Sequence, residues 1–243
     1  MAADSEDIFG RVVRKLGRLA RLDDTDRQAI QALPARIETH HAGSVLAKDG
    51  SRATHCTLLI DGFACRHKET REGQRQIVSF HLAGDIVDLQ NLHLRRNDST
   101  VQTLSPATVA RVAAEDLRAI AADRPRIAEA LWRDSLVDAA ITREWVVNVG
   151  RRGAMARIAH LLCEYAVRRD AAGFGPSDRF DLPMTQEQIG DATGLTSVHV
   201  NRKLHELEDM GLIARDRRDL HIRDRARLMR VGDFDPAYLH IPN

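Results

Sequence analysis

The stretch TQEQIGDATGLTSVHVNRKLHELEDMGLI, residues 185–213, constrains this chain more than any other. It reads as two helices joined by a sharp turn. Thr185 with Gln188 three residues on makes a capping box, and Thr196 caps the second helix in the same way. Gly190 is small enough to let the second helix cross the first closely, and Gly194 supplies the positive φ that such a turn needs. Ile189, Leu195, Val200, Leu204 and Leu207 are the apolar contacts, the last three at i, i+4 and i+7 on one helix face. Ser197, Val198, His199, Asn201 and Arg202 are left near the start of the second helix, pointing away from that core. In a helix-turn-helix this exposed start enters the major groove. Apolar spacing alone would fit any helical hairpin. Two caps, a small residue at the crossing and a turn glycine in agreement point to an element that reads DNA.

The following residues extend the pattern. Gly211 ends the second helix, and LIARDRRDLHI (212–222) predicts two short strands around Arg217-Arg218-Asp219. A hairpin in that place is a wing, which sets Arg215, Arg217 and Arg218 beside a phosphate backbone. For any single arginine a solvated charged turn is the plainer alternative.

A chain of 243 residues is long enough for two ordinary domains. Net charge is +1, so positive charge for DNA has to be local to the reading face, and 4% aromatic residues argue against a stacking platform for single strands. The three cysteines, Cys56, Cys65 and Cys163, make no even disulfide framework. The start MAADSEDIFG is acidic, and no run approaches ~18 apolar residues. A soluble cytoplasmic protein with no membrane partner is expected.

Along the chain, Ile8, Val12, Leu16 and Leu19 predict a basic amphipathic helix over residues 8–22, packed on its own domain. A short helix from Asp23 or Asp24 to Leu33 follows, closed by Pro34. From Arg36 to Ala113 the period becomes that of strands, with glycines between segments such as CTLLID, FACRHK and RQIVSFHL. Val78, Phe80 and Leu82 alternate there with Ser79 and His81, and residues 70–74 read as a hairpin turn. Many short strands predict a barrel or jelly roll. Helices return at Ala114–Asp123, then at about 126–149 after Pro125. The long helix carries Leu131, Val137, Ile141 and Trp145, a dimerisation seam interrupted by Asp134 and Asp138. Core packing against the preceding domain is its competitor. Residues 151–168 predict a helix flooring the winged domain through Ile158, Leu161, Leu162 and Tyr165, and 173–183 a loop. The domains expected are 1–124, a β-roll with flanking helices; 125–150, the long helix; and 151–243, the winged helix-turn-helix. The fold class is α+β.

An antiparallel β-roll, a long helix and a winged helix-turn-helix in this order resemble the family of the cyclic-AMP receptor protein and the fumarate–nitrate regulator (Crp/Fnr). The resemblance covers nearly the whole chain and rests on GSVLAKDGSRATHCTLLIDGFACRHKETREGQRQIVSFHLAGDIVDL and MTQEQIGDATGLTSVHVNRKLHELEDMGLI. VHVNRKL, RIAHLLCEY and FDPAYLH are similar to a subgroup common among alphaproteobacterial regulators. The resemblance implies a homodimeric transcription factor on a palindromic site, responding to a signal felt by the β-roll, with RNA polymerase as a further partner if it activates. It implies that Arg202 reads guanine by a bidentate contact and that Ser197, Val198 and His199 face bases. Thr185, Gln186 and Thr196 match contacts to the DNA backbone. Ser197 and Val198 stand where the cyclic-AMP receptor has Arg and Glu, so a different half-site is expected, with Val198 against a thymine methyl. Lys203 replaces a customary apolar residue, which would rotate the helix slightly.

In the sensor, Asp88 and Leu89 stand where a cyclic-nucleotide pocket of this family has Gly-Glu, and Ser99 and Thr100 where it has Arg-Ser. An aspartate there would repel a phosphate, so no cyclic nucleotide and no other cofactor is expected. An iron–sulfur sensor needs four cysteines mostly clustered near the N-terminus, and His67, His81 and His93 show no ligand spacing, so no metal is expected. Cys56 and Cys65 on neighbouring strands would allow a redox pair. The alternative to a DNA-binding regulator is a small-molecule or thiol-redox sensor whose main output is a protein partner. An enzyme is a distant third reading and is not expected, since no nucleophile–base set, metal-ligand spacing or phosphate loop is seen.

Overall fold

The computed structural model describes residues 8–175 and 177–241; the acidic start and Pro176, within the expected 173–183 loop, lie outside the described residues. Two compact units are present: one runs to Lys68 and from Ser79 to Ala139, the other takes Glu69–Val78 and Ala140–Ile241.

The first unit opens with α1 (Gly10–Leu19) and α2 (Asp24–Gln31). Asp23 and Asp26 close a reciprocal capping box on α2. Val12, Val13 and Leu16 turn inward while Arg14 and Arg18 stay in solvent, so the apolar stripe of α1 lies on its own domain. Strands β1 (Ala35–His40), β2 (Val45–Ala47), β3 (His55–Asp61), β4 (Phe63–Glu69), β5 (Arg75–Leu82), β6 (Thr100–Thr103) and β7 (Ala107–Ala113) follow. They form two sheets, ordered β1-β7-β3 and β2-β6-β4-β5. Between them lie Leu46, Leu59, Val87, Val101 and Val109, the inside of the roll. A larger cluster joins Leu58 and Val112 to α1, α2, α3 (Ala114–Asp123) and the start of α4 (Pro125–Arg151), through Leu16, Ile30, Leu117, Ile127 and Leu131. Each such aliphatic side chain contributes roughly 1.5–3 kcal/mol. Against the alternating pattern expected of β5, Ser79 and His81 are buried too, and His81 Nδ1 lies 3.8 Å from Asp85.

The long helix corrects one expectation. Leu131, Ile141 and Trp145 are buried against their own chain and Val137 is half-buried, so these four do not make an outward seam. The apolar residues that α4 leaves in solvent are Trp132 (71% exposed), Leu136 (54%), Val146 and Val147. Asp134 and Asp138 explain why. Lys15 Nζ sits 2.7 Å from Asp134 and 2.9 Å from Asp85, and Arg66 donates to Asp138 at 2.8 Å and to the Val87 carbonyl at 2.8 Å. Burial works against the Lys15 ammonium, but Asp134 and then Asp85 outweigh it and hold its pKa above the usual value. What looks like a broken seam is the polar inner face of the helix.

The second unit contains α5 (Ala154–Arg169), β8 (Arg179–Asp181), α6 (Gln186–Thr193), α7 (Ser197–Asp209), β9 (Ile213–Asp216), β10 (Asp219–Ile222), α8 (Arg225–Val231) and a 3-10 turn at Pro236–Leu239. Ile158, Leu161, Leu162 and Tyr165 face its core, as the sequence predicts. The stretch expected to be a plain loop holds β8, which pairs with β10 in a sheet ordered β8-β10-β9.

Candidate nucleic-acid interface

The helix pair is assembled by the local signals in its sequence. Thr185 Oγ1 accepts from the Gln188 N–H at 3.2 Å, and Gln188 Oε1 accepts from the Thr185 N–H at 2.9 Å. Thr196 Oγ1 accepts from the His199 N–H at 3.3 Å. Gly194 adopts φ +68°, and at Gly190 a Cβ would meet the Leu195 carbonyl oxygen at 2.5 Å, so the turn passes where only a hydrogen fits. Arg157 of α5 donates to the Thr193 carbonyl at 2.9 Å, satisfying the end of α6. Val200, Leu204 and Leu207 are fully buried beneath α7.

This burial turns the start of α7 outward. Ser197, Val198 and Arg202 are exposed, Val198 to 79%, while His199 and Asn201 are half-exposed. Gln186 of α6 donates to Asn201 Oδ1 at 3.0 Å, a cross-link between the helices that helix-by-helix reading does not find. Thr185, Gln186 and Thr196 sit at the two helix starts, where free N–H groups favour an anion.

Charge on this face is sorted by intramolecular pairing. Lys203 is held by Glu206 at 2.7 Å while Leu204 fills the core, so α7 accommodates Lys203 without rotating Leu204 out. Arg215 makes a bidentate pair with Glu208 at 3.0 and 2.7 Å, which holds the Glu208 carboxyl below its usual range and withdraws Arg215 from the wing. Arg217 and Arg218 remain exposed at the β9–β10 turn, Arg217 with φ +56°.

The expected effector residues are committed elsewhere. Asp88 accepts from the Thr57 N–H at 2.5 Å and from its hydroxyl at 2.9 Å, and burial pushes its carboxyl up to about 6. Leu89 belongs to the hydrophobic core. The Ser99 hydroxyl donates to Asp98, and the Thr100 hydroxyl accepts from the Asp49 N–H. Asp88, Ser99 and Thr100 are thus hydrogen-bonded within their own unit and Leu89 packs in its core. The redox pair is corrected as well. Cys56 on β3 and Cys65 on β4 lie in different sheets, both fully buried and neither in a disulfide. Burial, with Asp88 adding to it, pushes the Cys56 thiol up to about 12, far from the reactive thiolate. Cys163 is a buried thiol raised to about 12 by the same desolvation.

A two-helix element whose second helix offers its start to solvent, followed by a hairpin that pairs with the preceding β8, is a winged helix-turn-helix, the reading module of a DNA-binding transcription regulator. Comparison with known proteins agrees. Residues 156–231 match the Crp-like helix-turn-helix domain and residues 37–124 the cyclic nucleotide-binding domain. The chain is 29% identical to the transcriptional activator protein FnrL of Cereibacter sphaeroides, over 92% of this chain and 90% of that protein. It is 27% identical to the nitrogen fixation regulation protein FixK of Bradyrhizobium diazoefficiens, over 89% and 90%. The structure of FixK2 from Bradyrhizobium japonicum superposes with a TM-score of 0.75 at 26% identity, covering 82% of this chain and 98% of that one. The chain thus carries, in this order, the two domains of a Crp/Fnr-type transcription regulator. No helix among the described residues is long and apolar enough to cross a membrane.

Proposed function

We propose that this regulator works in the cytoplasm as a homodimer on an inverted-repeat DNA site, reading bases with Ser197, Val198, His199 and Arg202. One observation carries the reading: among the cationic side chains around α7, Lys203 and Arg215 are paired within the chain, whereas Arg202 stands exposed beside Val198. An unpaired guanidinium one helical turn from an apolar side chain suits a guanine next to a thymine methyl. Thr185, Gln186, Thr196, Arg217 and Arg218 hold phosphates around it. The exposed Trp132 and Leu136, four residues apart on α4, support self-association, since a large apolar side chain in water calls for a partner surface. The signal is something other than cyclic AMP, because Asp88 is a buried strut and the hydroxyls of Ser99 and Thr100 are engaged. If the protein activates, RNA polymerase is its further partner.

Selection of DNA sites from a random pool by the purified protein, with no effector added, tests the reading. Enrichment of an inverted repeat with half-sites about one helical turn (~34–36 Å) apart is expected. Enrichment of a single half-site, or of none with and without added oxidant, reductant and cyclic nucleotides, would refute it.

A further inference from the structure

Within the DNA-binding unit runs a polar chain, buried at His160, Glu164 and Trp145 and half-buried at Tyr238, that DNA reading does not use. It joins α4, α5 and the C-terminal 3-10 turn. Trp145 Nε1 donates to Glu164 Oε2 at 2.9 Å, the Tyr238 hydroxyl lies 2.7 Å from the same oxygen, and Arg168 reaches Oε1 at 3.3 Å. His160 Nε2 lies 3.1 Å from the Tyr238 oxygen, and its Nδ1 lies 3.2 Å from the Gly232 carbonyl. His160 is 0% and Glu164 2% exposed, so neither borrows a partner from bulk water.

Counting hydrogens decides the protonation of this chain. A carbonyl only accepts, so Nδ1 of His160 carries a hydrogen. Tyr238 has one hydrogen and two neighbours. If it goes to Glu164, then Nε2 of His160 faces an oxygen with no hydrogen left and must carry its own, which makes the ring an imidazolium. If it goes to His160, then Glu164 must supply the hydrogen across the 2.7 Å contact and is a carboxylic acid. The two arrangements interconvert by moving one hydrogen across each contact, from Nε2 to the tyrosine oxygen and from that oxygen to Oε2. Both hold one proton more than a carboxylate beside a neutral imidazole. Without it, two lone pairs face each other inside the protein.

The charges around this chain are paired. Glu144 at the end of α4 and Asp233 after α8 pair with Arg152, and Glu164 pairs with Arg168. Asp233 is 82% exposed, so the carboxylates inside the cluster are Glu144 and Glu164, each paired with one guanidinium. Burial, with Arg152 adding to it, holds the His160 ring below its usual pKa in spite of Glu164 and Glu144, which favours the arrangement with the proton on Glu164.

We propose that Glu164, Tyr238 and His160 hold one shared proton, and that its loss frees the Pro236–Leu239 turn from α5 and loosens the DNA-binding unit. The shared proton stands on this geometry alone; its effect on DNA rests on the function proposed above. The test uses the full-length protein with 15N-histidine and 13C-glutamate labels. At pH 7 we expect either a doubly protonated His160 ring or a Glu164 carboxylic acid. A neutral His160 beside an ionised Glu164 would overturn the shared proton. Replacing Tyr238 by Phe (Y238F) should break the relay and give His160 and Glu164 separate midpoints, and a common midpoint in Y238F would also overturn it. Raising the pH from about 7 to about 9.5 should weaken operator binding roughly tenfold more in the parent than in Y238F, the scale of one orphaned buried hydrogen bond. Equal pH dependence, with the proton detected, would overturn the release and leave the DNA reading intact.

Discussion

Gly190→Ala sets two general rules against each other. Alanine in place of glycine inside a helix gains about 1 kcal/mol of intrinsic propensity. Against it, the new Cβ would lie 2.5 Å from the Leu195 carbonyl oxygen, and real Cβ atoms essentially never come within 3.0 Å of such a neighbour. That oxygen is backbone and cannot swing aside as a side chain would. Relieving the contact moves the turn that leads into α7 and strains the 3.0 Å hydrogen bond from the Leu195 N–H to the Gly190 carbonyl. Overpacking costs about 1–3 kcal/mol and the lost hydrogen bond about 1 kcal/mol, so the net loss is about 1–3 kcal/mol. For a unit of this size the melting temperature should fall by roughly 4–8 °C per kcal/mol, read by circular dichroism or calorimetry, and operator affinity should fall with it. Gly150, near the end of α4, is the internal control: a Cβ there meets nothing within 4 Å, so Gly150→Ala should be neutral or stabilising by up to about 1 kcal/mol. A Gly190→Ala protein at least as stable as the parent would mean that the crossing has slack and the steric reasoning is wrong.

Arg202→Ala should cost about 1–3 kcal/mol of specific DNA binding and relax one base position while leaving the fold intact; unchanged affinity and site preference would move the reading face elsewhere. Leu136→Asp sets a charge on the outward stripe of α4, and light scattering should report a shift from dimer toward monomer at micromolar concentration; an unaltered mass would place the self-association surface elsewhere. Asp88 gives a pH signature. Its carboxyl is raised from 3.8 to about 6 in the folded chain, so its stabilising contribution is fully present below about pH 4 and is lost as the pH rises through 6. The loss amounts to about 3 kcal/mol. Asp88→Asn, which can still accept from the Thr57 N–H, should flatten the denaturant-derived stability curve between pH 4 and 7; a slope equal to the parent's would contradict the assignment.

Some of this was legible because the forces are local. Thr185 and Gln188, Gly190 and Gly194, and the Val200–Leu204–Leu207 spacing act within a turn or two of one another, so their order in the chain states their geometry. β8 was missed because a three-residue strand with one buried side chain, Phe180, carries no periodic signal and exists through its pairing with β10. Asp88 read as a pocket residue by its place in the chain, yet Thr57, brought alongside by the fold, claims it.

The sequence alone thus determined the reading element, its caps and turn, and the succession of roll, long helix and wing. Only the tertiary structure decided which face of α4 turns inward, since Leu131, Trp132, Leu136 and Trp145 are alike apolar in sequence. Which of the arginines around α7 stay unpaired was settled in the same way, by Glu208 reaching Arg215. Burial and charge pairing depend on residues far away along the chain, and a side chain's role is defined only once those partners arrive.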